Sequence, residues 1–203
     1  MDKNKLLEIE NLFDKYGFKS KKLIESEKKF LHIETYKIDL NINKTIYRDK
    51  LVKNGGNGSA CIILALFDND DVLLVVQPRV FSKRGVLLDI PSGYIDNNEE
   101  PLKAALRELK EETGYEAESI KEIASYYQDE GVTDSIVHIF MATGLKKVSE
   151  LSLDEDEFLE PVIVKYDDIQ ELIDKGYIKS GGSQLAYYKS KLLRGENSEG
   201  FGI

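Results

Sequence analysis

The chain has 203 residues with 41% hydrophobic content, enough for one sizeable core and too little for two. Its 37 acidic and 28 basic side chains leave a net charge of −9, and no long basic stripe offsets it, which argues against a nucleic-acid partner. The single cysteine, Cys61, lies in the apolar run ACIILALF, so a disulfide framework within the chain is excluded and a reducing cytoplasm is the expected compartment.

No apolar run reaches membrane-spanning length, and the start, MDKNKLLEIENLF, carries acids inside its apolar pattern, so no membrane partner is expected. Residues 3–16 place Leu6, Leu7, Ile9, Leu12 and Phe13 at helical spacing, which predicts a short amphipathic helix ending near Gly17. Residues 19–29 are rich in charge. The run FLHIETYKIDL alternates as a strand, residues 41–44 have turn composition, and residues 45–53 read as the partner strand of a hairpin. The loop NGGNGS at 54–59 admits a phosphate cradle or a flexible loop; no Lys-Ser/Thr follows at P-loop spacing, which favours the loop.

Residues 60–67 and 72–77 are apolar runs around Asp68-Asn69-Asp70-Asp71 and predict a hairpin in the core sheet. A short strand at 86–90 leads to Pro91-Ser92-Gly93. Pro101 suits a first helical position and Gly114 the left-handed position past a helix end. Strands are predicted at 120–127 and 136–143 around the loop QDEGVTDS, and another at 159–165 after the acid-rich loop SELSLDEDE. Helices at 167–175 and 183–193 precede the polar tail RGENSEGFGI, which is expected to fray. Strands in the middle with helices between and after them give an α+β class. His138 alternates with Ile136 and Phe140 and reads as structural, as does His32.

Within the predicted helix, Leu102, Ala105, Leu106 and Leu109 form an apolar stripe, and Glu108 and Glu112 share one face at its edge. Glu111 lies further round, with Arg107 four residues before it, a spacing that supports an ion pair. Three carboxylates in one turn repel unless a cation lies between them, and Mg²⁺ is the usual choice. A plain solvated face is the alternative reading of so acidic a helix.

The whole stretch 93–115 is GYIDNNEEPLKAALRELKEETGY. It resembles the Nudix box, G-x5-E-x7-R-E-U-x-E-E-x-G-U, with U a bulky apolar residue, and every fixed position is present. Seven fixed residues at average usage match a given start by chance on the order of once in 10⁸. Tyr115 stands at the final U, where an aliphatic is usual. The resemblance implies a mixed β-sheet packed between helices, an α/β/α sandwich. It also implies hydrolysis of a nucleoside diphosphate derivative, with Mg²⁺ as cofactor and Mn²⁺ as the alternative. Carried over, Glu108 and Glu112 are the prime metal ligands, Glu111 is a further ligand or catalytic group, and Arg107 orients it. The Ser92 carbonyl is another ligand, Gly93 allows a tight turn beside the metal, and Glu99 ties the loop to the helix.

Other stretches resemble the ADP-ribose/ADP-sugar pyrophosphatase branch of that family. LLVVQPR is similar to its Q-Y-R, which directs Arg79 to a substrate phosphate. LLDIPSGYID is similar to L-E-L-P-A-G-x-I-D, and EGVTDSIVHIFMA to P-G-x-S-D-E-x-x-H-x-F-x-A, with Asp134 a candidate substrate contact. DEDEFLEPVIV resembles an E-x-E loop, which makes Glu157 a metal ligand and Glu155 a candidate general base. The ordinary alternatives are a solvated strand-end charge at Arg79 and plain loop acids at Glu155 and Glu157. One departure is Glu130, which stands where the branch has proline and would meet the distal half of the substrate. A different nucleoside diphosphate sugar or a dinucleotide therefore stays open.

In that branch an N-terminal hairpin often exchanges across a homodimer. Residues 1–57 are accordingly read as a helix-and-hairpin extension, with Tyr36 or Tyr47 stacking on the base. Residues 58–195 are the hydrolase domain and 196–203 a tail. A hydrolase of oxidised nucleoside triphosphates and a non-catalytic nucleotide sensor are the competing readings.

Overall fold

The computed structural model describes residues 2–17, 31–40, 44–53, 58–155 and 157–195. In chain order the elements are helix α1 (Lys3–Lys15), strands β1 (Leu31–Leu40), β2 (Lys44–Lys53), β3 (Ala60–Leu66), β4 (Asp71–Pro78), β5 (Val86–Asp89) and β6 (Ser92–Tyr94), and helix α2 (Pro101–Thr113). Strands β7 (Tyr115–Tyr127), β8 (Ile136–Lys147) and β9 (Glu160–Lys165) follow, then helices α3 (Ile169–Asp174) and α4 (Gly181–Leu193). The expected charge-rich stretch 19–29, the turn at 41–43, the loop at 54–57 and the tail 196–203 lie outside the described residues.

Strand β3 is apolar along its length because helices cover both faces of the sheet. Cys61, Ile63 and Ala65 pack with Phe140 toward Ala104, Ala105 and Leu109 of α2. Ile62, Leu64 and Leu66 face the other way, into a cluster with Ile9 of α1, Leu172 of α3 and Tyr187 of α4. The α+β class and the mixed sheet between helices are therefore as the sequence predicts. The sheet has seven strands, ordered β5-β4-β3-β8-β7, with β6 pairing β3 and β9 pairing β4. Strands β3 and β8 run parallel. Among the described residues no helix is long and apolar enough to cross a membrane.

One irregularity in the sheet prepares the site. Strands β3 and β4 pair only through Ala65↔Leu73 and Leu66↔Val72. Beyond that they diverge, and β6 takes over as partner of β3 through Ile62↔Ser92 and Cys61↔Gly93. The Ile63 N–H donates to the Pro91 carbonyl at 2.8 Å, which holds the wedge in place. Backbone from residues 91–94 thus lies in the sheet directly beneath α2.

Several boundaries differ from expectation. The strand β6 is only three residues long and contains glycine, too little for a periodic signal. Strand β7 starts at Tyr115 rather than near residue 120, because the left-handed Gly114, at φ 74°, turns the chain straight from α2 into the sheet. Its first residues alternate, Tyr115 and Ala117 against the core and Glu116 and Glu118 toward solvent, which is too short a pattern beside a helix end to read as a strand. Tyr115 packs edge-on against Phe67, with ring centroids 5.4 Å apart, so an aromatic is accommodated where an aliphatic is usual.

The apolar stripe expected on α2 is also corrected. Leu102 and Leu106 are 43% and 40% exposed, and the buried face is Ala104, Ala105, Glu108, Leu109 and Glu112. The helix is rotated so that two acids lie within its packing surface. Strands β1 and β2 form a separate two-stranded sheet. Its base is tied to the β7–β8 loop by the Leu51 N–H to the Val132 carbonyl at 2.7 Å, and by Lys50–Asp134 at 2.8 Å.

Candidate active site

The acids are seated by the wedge. Glu112 is 3% exposed and one carboxylate oxygen accepts the Ser92 N–H at 2.7 Å. Glu108 is 7% exposed and lies against Gly93, where an added Cβ would fall 1.9 Å from its carboxyl carbon. Only glycine leaves room for that carboxylate. Arg107 joins the helix to the loop before it, giving Nε and Nη2 to the two oxygens of Glu99 at 3.0 and 2.9 Å. Its Nη1 reaches Glu108 at 2.7 Å and Glu111 at 3.1 Å, and Nη2 also reaches the Tyr94 carbonyl at 3.1 Å. The expected Arg107–Glu111 pair is present but is one of four attachments. Glu99 also accepts the Asp96 N–H at 3.0 Å, so it does tie loop to helix.

Burial pushes the Glu112 carboxyl well above the usual glutamate range, against the Ser92 N–H, with the charges of Glu108 and Glu157 adding to the rise. Burial raises the Glu108 carboxyl too, opposed by Arg107 and reinforced by Glu111 and Glu157. The Arg107 guanidinium is held firmly charged, first by Glu99.

Other candidates divide. Glu157 is near enough to act on both buried acids, though its own carboxylate turns back to the Asp154 N–H at 3.2 Å. Glu155 is exposed and makes no hydrogen bond or ion pair among the described residues. The charge of Arg79 opposes the rise at the Glu112 carboxyl, less than the other influences there. Its Nε donates to Asp89 at 2.9 Å. Asp134 is paired with Lys50, and Glu130 is exposed at the tip of the same loop. Tyr36 and Tyr47 fall on opposite faces of the hairpin, since Tyr36 pairs with Arg48 and Tyr47 with Lys37. Tyr36 feels Lys50 and Asp134 and so faces the β7–β8 loop; Tyr47 faces away.

His138 bonds Glu122 at 2.9 Å across β7 and β8, and His32 lies 3.5 Å from Glu34. A cleft of about 510 Å³ borders the loop 94–99, lined by Lys53, Ser59, Tyr94, Asn98, Glu99 and His138, and it does not include the buried glutamates. The residues that sequence reasoning passed over are Asp89, Gln77 and Ser183, with Gln77 and Ser183 both donating to Asp89 beside Arg79. An acid in the apolar run VLLDIP was the available signal for Asp89; for Ser183 there was none.

The donor set suits a hard divalent cation. Glu108, Glu111, Glu112 and Glu157 offer carboxylate oxygens, each of the three on α2 using one oxygen in the bonds described. The cradle at Gly93 keeps Cβ bulk away from them. Among the described residues no three His, Cys, Asp or Glu side chains close into a ready cage. That follows from the contacts: Glu108 and Glu111 turn toward Arg107, Glu112 toward Ser92, and a cation would draw their remaining oxygens together.

Buried acids facing a half-exposed arginine suit the hydrolysis of a phosphoanhydride assisted by a divalent cation. The sequence matches the NUDIX domain family over residues 56–181, and the chain belongs to that family of hydrolases. It is 37% identical over 144 residues to the ADP-ribose pyrophosphatase of Bacillus subtilis (strain 168), covering 70% of this chain and 76% of that protein. It is 31% identical over 158 residues to a GDP-mannose pyrophosphatase of Yersinia enterocolitica serotype O:8, covering 74% and 82%. A crystal structure of an ADP compounds hydrolase shares the fold, with a TM-score of 0.71 at 21% identity over 85% of this chain and 91% of that one.

Two outcomes are expected. Gly93→Ala displaces the Glu108 carboxyl by steric contact with a mobile side-chain end, so turnover should fall by about 100-fold or more while the thermal midpoint hardly moves. Steady-state rates and a melting curve on the same sample check this. The second concerns pH. Because the folded-state pKa values of Glu108 and Glu112 are raised, the native chain keeps protons that the unfolded chain releases above about pH 4.3. Their contribution is full at low pH and is lost as pH rises through the folded values. In chelator, melting temperature should fall from pH 5 to 8 more steeply for the wild type than for Glu112→Gln, and added Mg²⁺ should remove the difference. Equal slopes for the two proteins would contradict the assignment.

Proposed function

We propose that the protein hydrolyses the diphosphate linkage of a nucleoside diphosphate sugar such as ADP-ribose, giving AMP and a sugar phosphate, with Mg²⁺ as its cation and Mn²⁺ as a substitute. The observation that carries this reading is the pair of buried carboxylates, Glu108 seated against Gly93 and Glu112 on the Ser92 N–H, with Glu157 and Arg79 in electrostatic reach. Glu108, Glu112, Glu157, Glu111 and the Ser92 carbonyl would hold the cation, which when bound supplies positive charge against the diphosphate and acidifies water. Water oxygen forms a bond to one phosphorus, the bridging P–O bond breaks, and the leaving phosphate carries away the electron pair. A carboxylate takes the water proton: Glu111, held by Arg107 at 3.1 Å, is the favoured base and Glu155 the alternative. Arg79 binds a phosphate oxygen, and Arg107 stays within the protein to hold Glu111 and Glu108.

An adenine nucleotide is preferred because the ADP-ribose pyrophosphatase is the more similar of the two relatives; a GDP-sugar is the alternative. Residues 1–57 serve as an extension to a hydrolase domain at 58–195, and the cytoplasm is the compartment that a reduced, buried Cys61 fits. The extension supports a homodimer. A two-stranded hairpin is marginal on its own, yet this one exposes Ile33 at 68% and Tyr47 at 63%, as well as Tyr36 and Leu31. A second copy would cover those side chains and place Tyr36, the tyrosine facing the β7–β8 loop, against a base.

A substrate panel in Mg²⁺ tests the chemistry: ADP-ribose, ADP-glucose, GDP-mannose, NADH, diadenosine polyphosphates and 8-oxo-dGTP, with products identified by mass. AMP plus ribose phosphate is expected, and Glu112→Gln should abolish nearly all kcat with the fold intact. Release of pyrophosphate from the triphosphate alone, or binding without turnover under every cation, would replace the proposal. For the assembly, sedimentation at micromolar concentration should give a dimer, and a strictly monomeric profile removes the second copy.

A further inference from the structure

The end of β4, the end of β5 and the first turn of α4 meet at a single buried carboxylate. Asp89 is 2% exposed, and three side chains donate to it. Arg79 Nε and Gln77 Nε2 reach one oxygen at 2.9 and 3.3 Å, and Ser183 Oγ reaches the other at 3.2 Å. Ser183 Oγ in turn accepts the Ile90 N–H at 3.3 Å, so the serine is fixed from both sides. The Arg79 side chain is 44% exposed, and among the described residues Nη1 and Nη2 have no hydrogen-bond partner.

We propose that Asp89, braced by Gln77 and Ser183, is a positioning residue that locks the Arg79 guanidinium by its Nε and presents the two outer nitrogens to the diphosphate. The proposal rests on the reading of Arg79 as a phosphate contact. A bond at Nε fixes the plane of the guanidinium and leaves the fork of Nη1 and Nη2 for an anion, which is how arginine grips two phosphate oxygens at once. An arginine at a strand end otherwise samples many rotamers, and ordering it on binding weakens affinity. Burying a carboxylate is costly unless a cation and donors satisfy it. Asp89 has both, drawn from three separate elements, so the contact is built into the fold.

A positioning role and a merely structural one give different kinetics. The Arg79 contact serves substrate in the ground state and the transition state alike, so loosening it should raise KM and spare kcat. Asp89→Asn keeps the size and some hydrogen bonds while removing the charge. With ADP-ribose and Mg²⁺ it should raise KM about tenfold with kcat within about threefold, at a thermal midpoint that confirms folding. In an Arg79→Gln background, Asp89→Asn should add nothing further to KM. Where Asp89→Asn fails to fold, Ser183→Ala leaves the charge in place and should give a smaller rise in KM, again absent with Arg79→Gln. Wild-type KM in the folded single variants, or the same rise with and without Arg79, overturns the positioning role while leaving the phosphate contact standing. Wild-type KM in Arg79→Gln removes the contact itself, and the positioning role with it.

Discussion

Two carboxylates pressed into the packing surface of one helix are the constraint that organises this molecule. Glu108 and Glu112 occupy positions of α2 that would otherwise carry apolar side chains, beside Ala104, Ala105 and Leu109. Like charges in a poorly solvated place repel and resist ionisation, so the surroundings must supply compensation. Part of it comes from the backbone. The divergence of β3 from β4 admits the segment around Ser92, and its N–H meets Glu112. Gly93 follows because any side chain there would collide with Glu108. A sheet defect, a glycine and a buried acid are thus one arrangement.

The two arginines near these acids do different work. Arg107 spends its donors inside the protein, on Glu99, Glu108, Glu111 and the Tyr94 carbonyl. That makes it a clamp between α2 and the loop 94–99, and leaves it little to offer a ligand. Arg79 gives only Nε to Asp89. The distinction is one of which nitrogens are committed, and sequence spacing alone does not express it.

How much was legible beforehand follows from the range of each contact. The acids of α2 were readable because helical spacing places them by arithmetic, and the core strands because their apolar runs are continuous. The rotation of α2 was not, since Leu102 and Leu106 are as apolar as Leu109 and only the tertiary partners decide which face is buried. Asp89 and Ser183 stand 94 residues apart, and no local pattern joins them. Sequence leaves Tyr36 and Tyr47 equivalent, because hairpin register depends on the turn between the strands. The pairing of Tyr36 with Arg48 puts the tyrosines one position out of step, and one position in a strand means opposite faces.

The overall charge of −9 makes the local arrangement more consequential. A diphosphate approaching Glu108, Glu112 and Glu157 brings further negative charge to a place already short of cations. On the proposed reading Arg79 neutralises part of it, while Arg107 spends its donors within the protein. On that reading the acids and the phosphates would share the cation bound between them, and each would strengthen the binding of the other through that common charge. Such linkage is reciprocal by necessity. The same burial that makes the glutamates reluctant to ionise alone thus ties cation affinity to the presence of substrate.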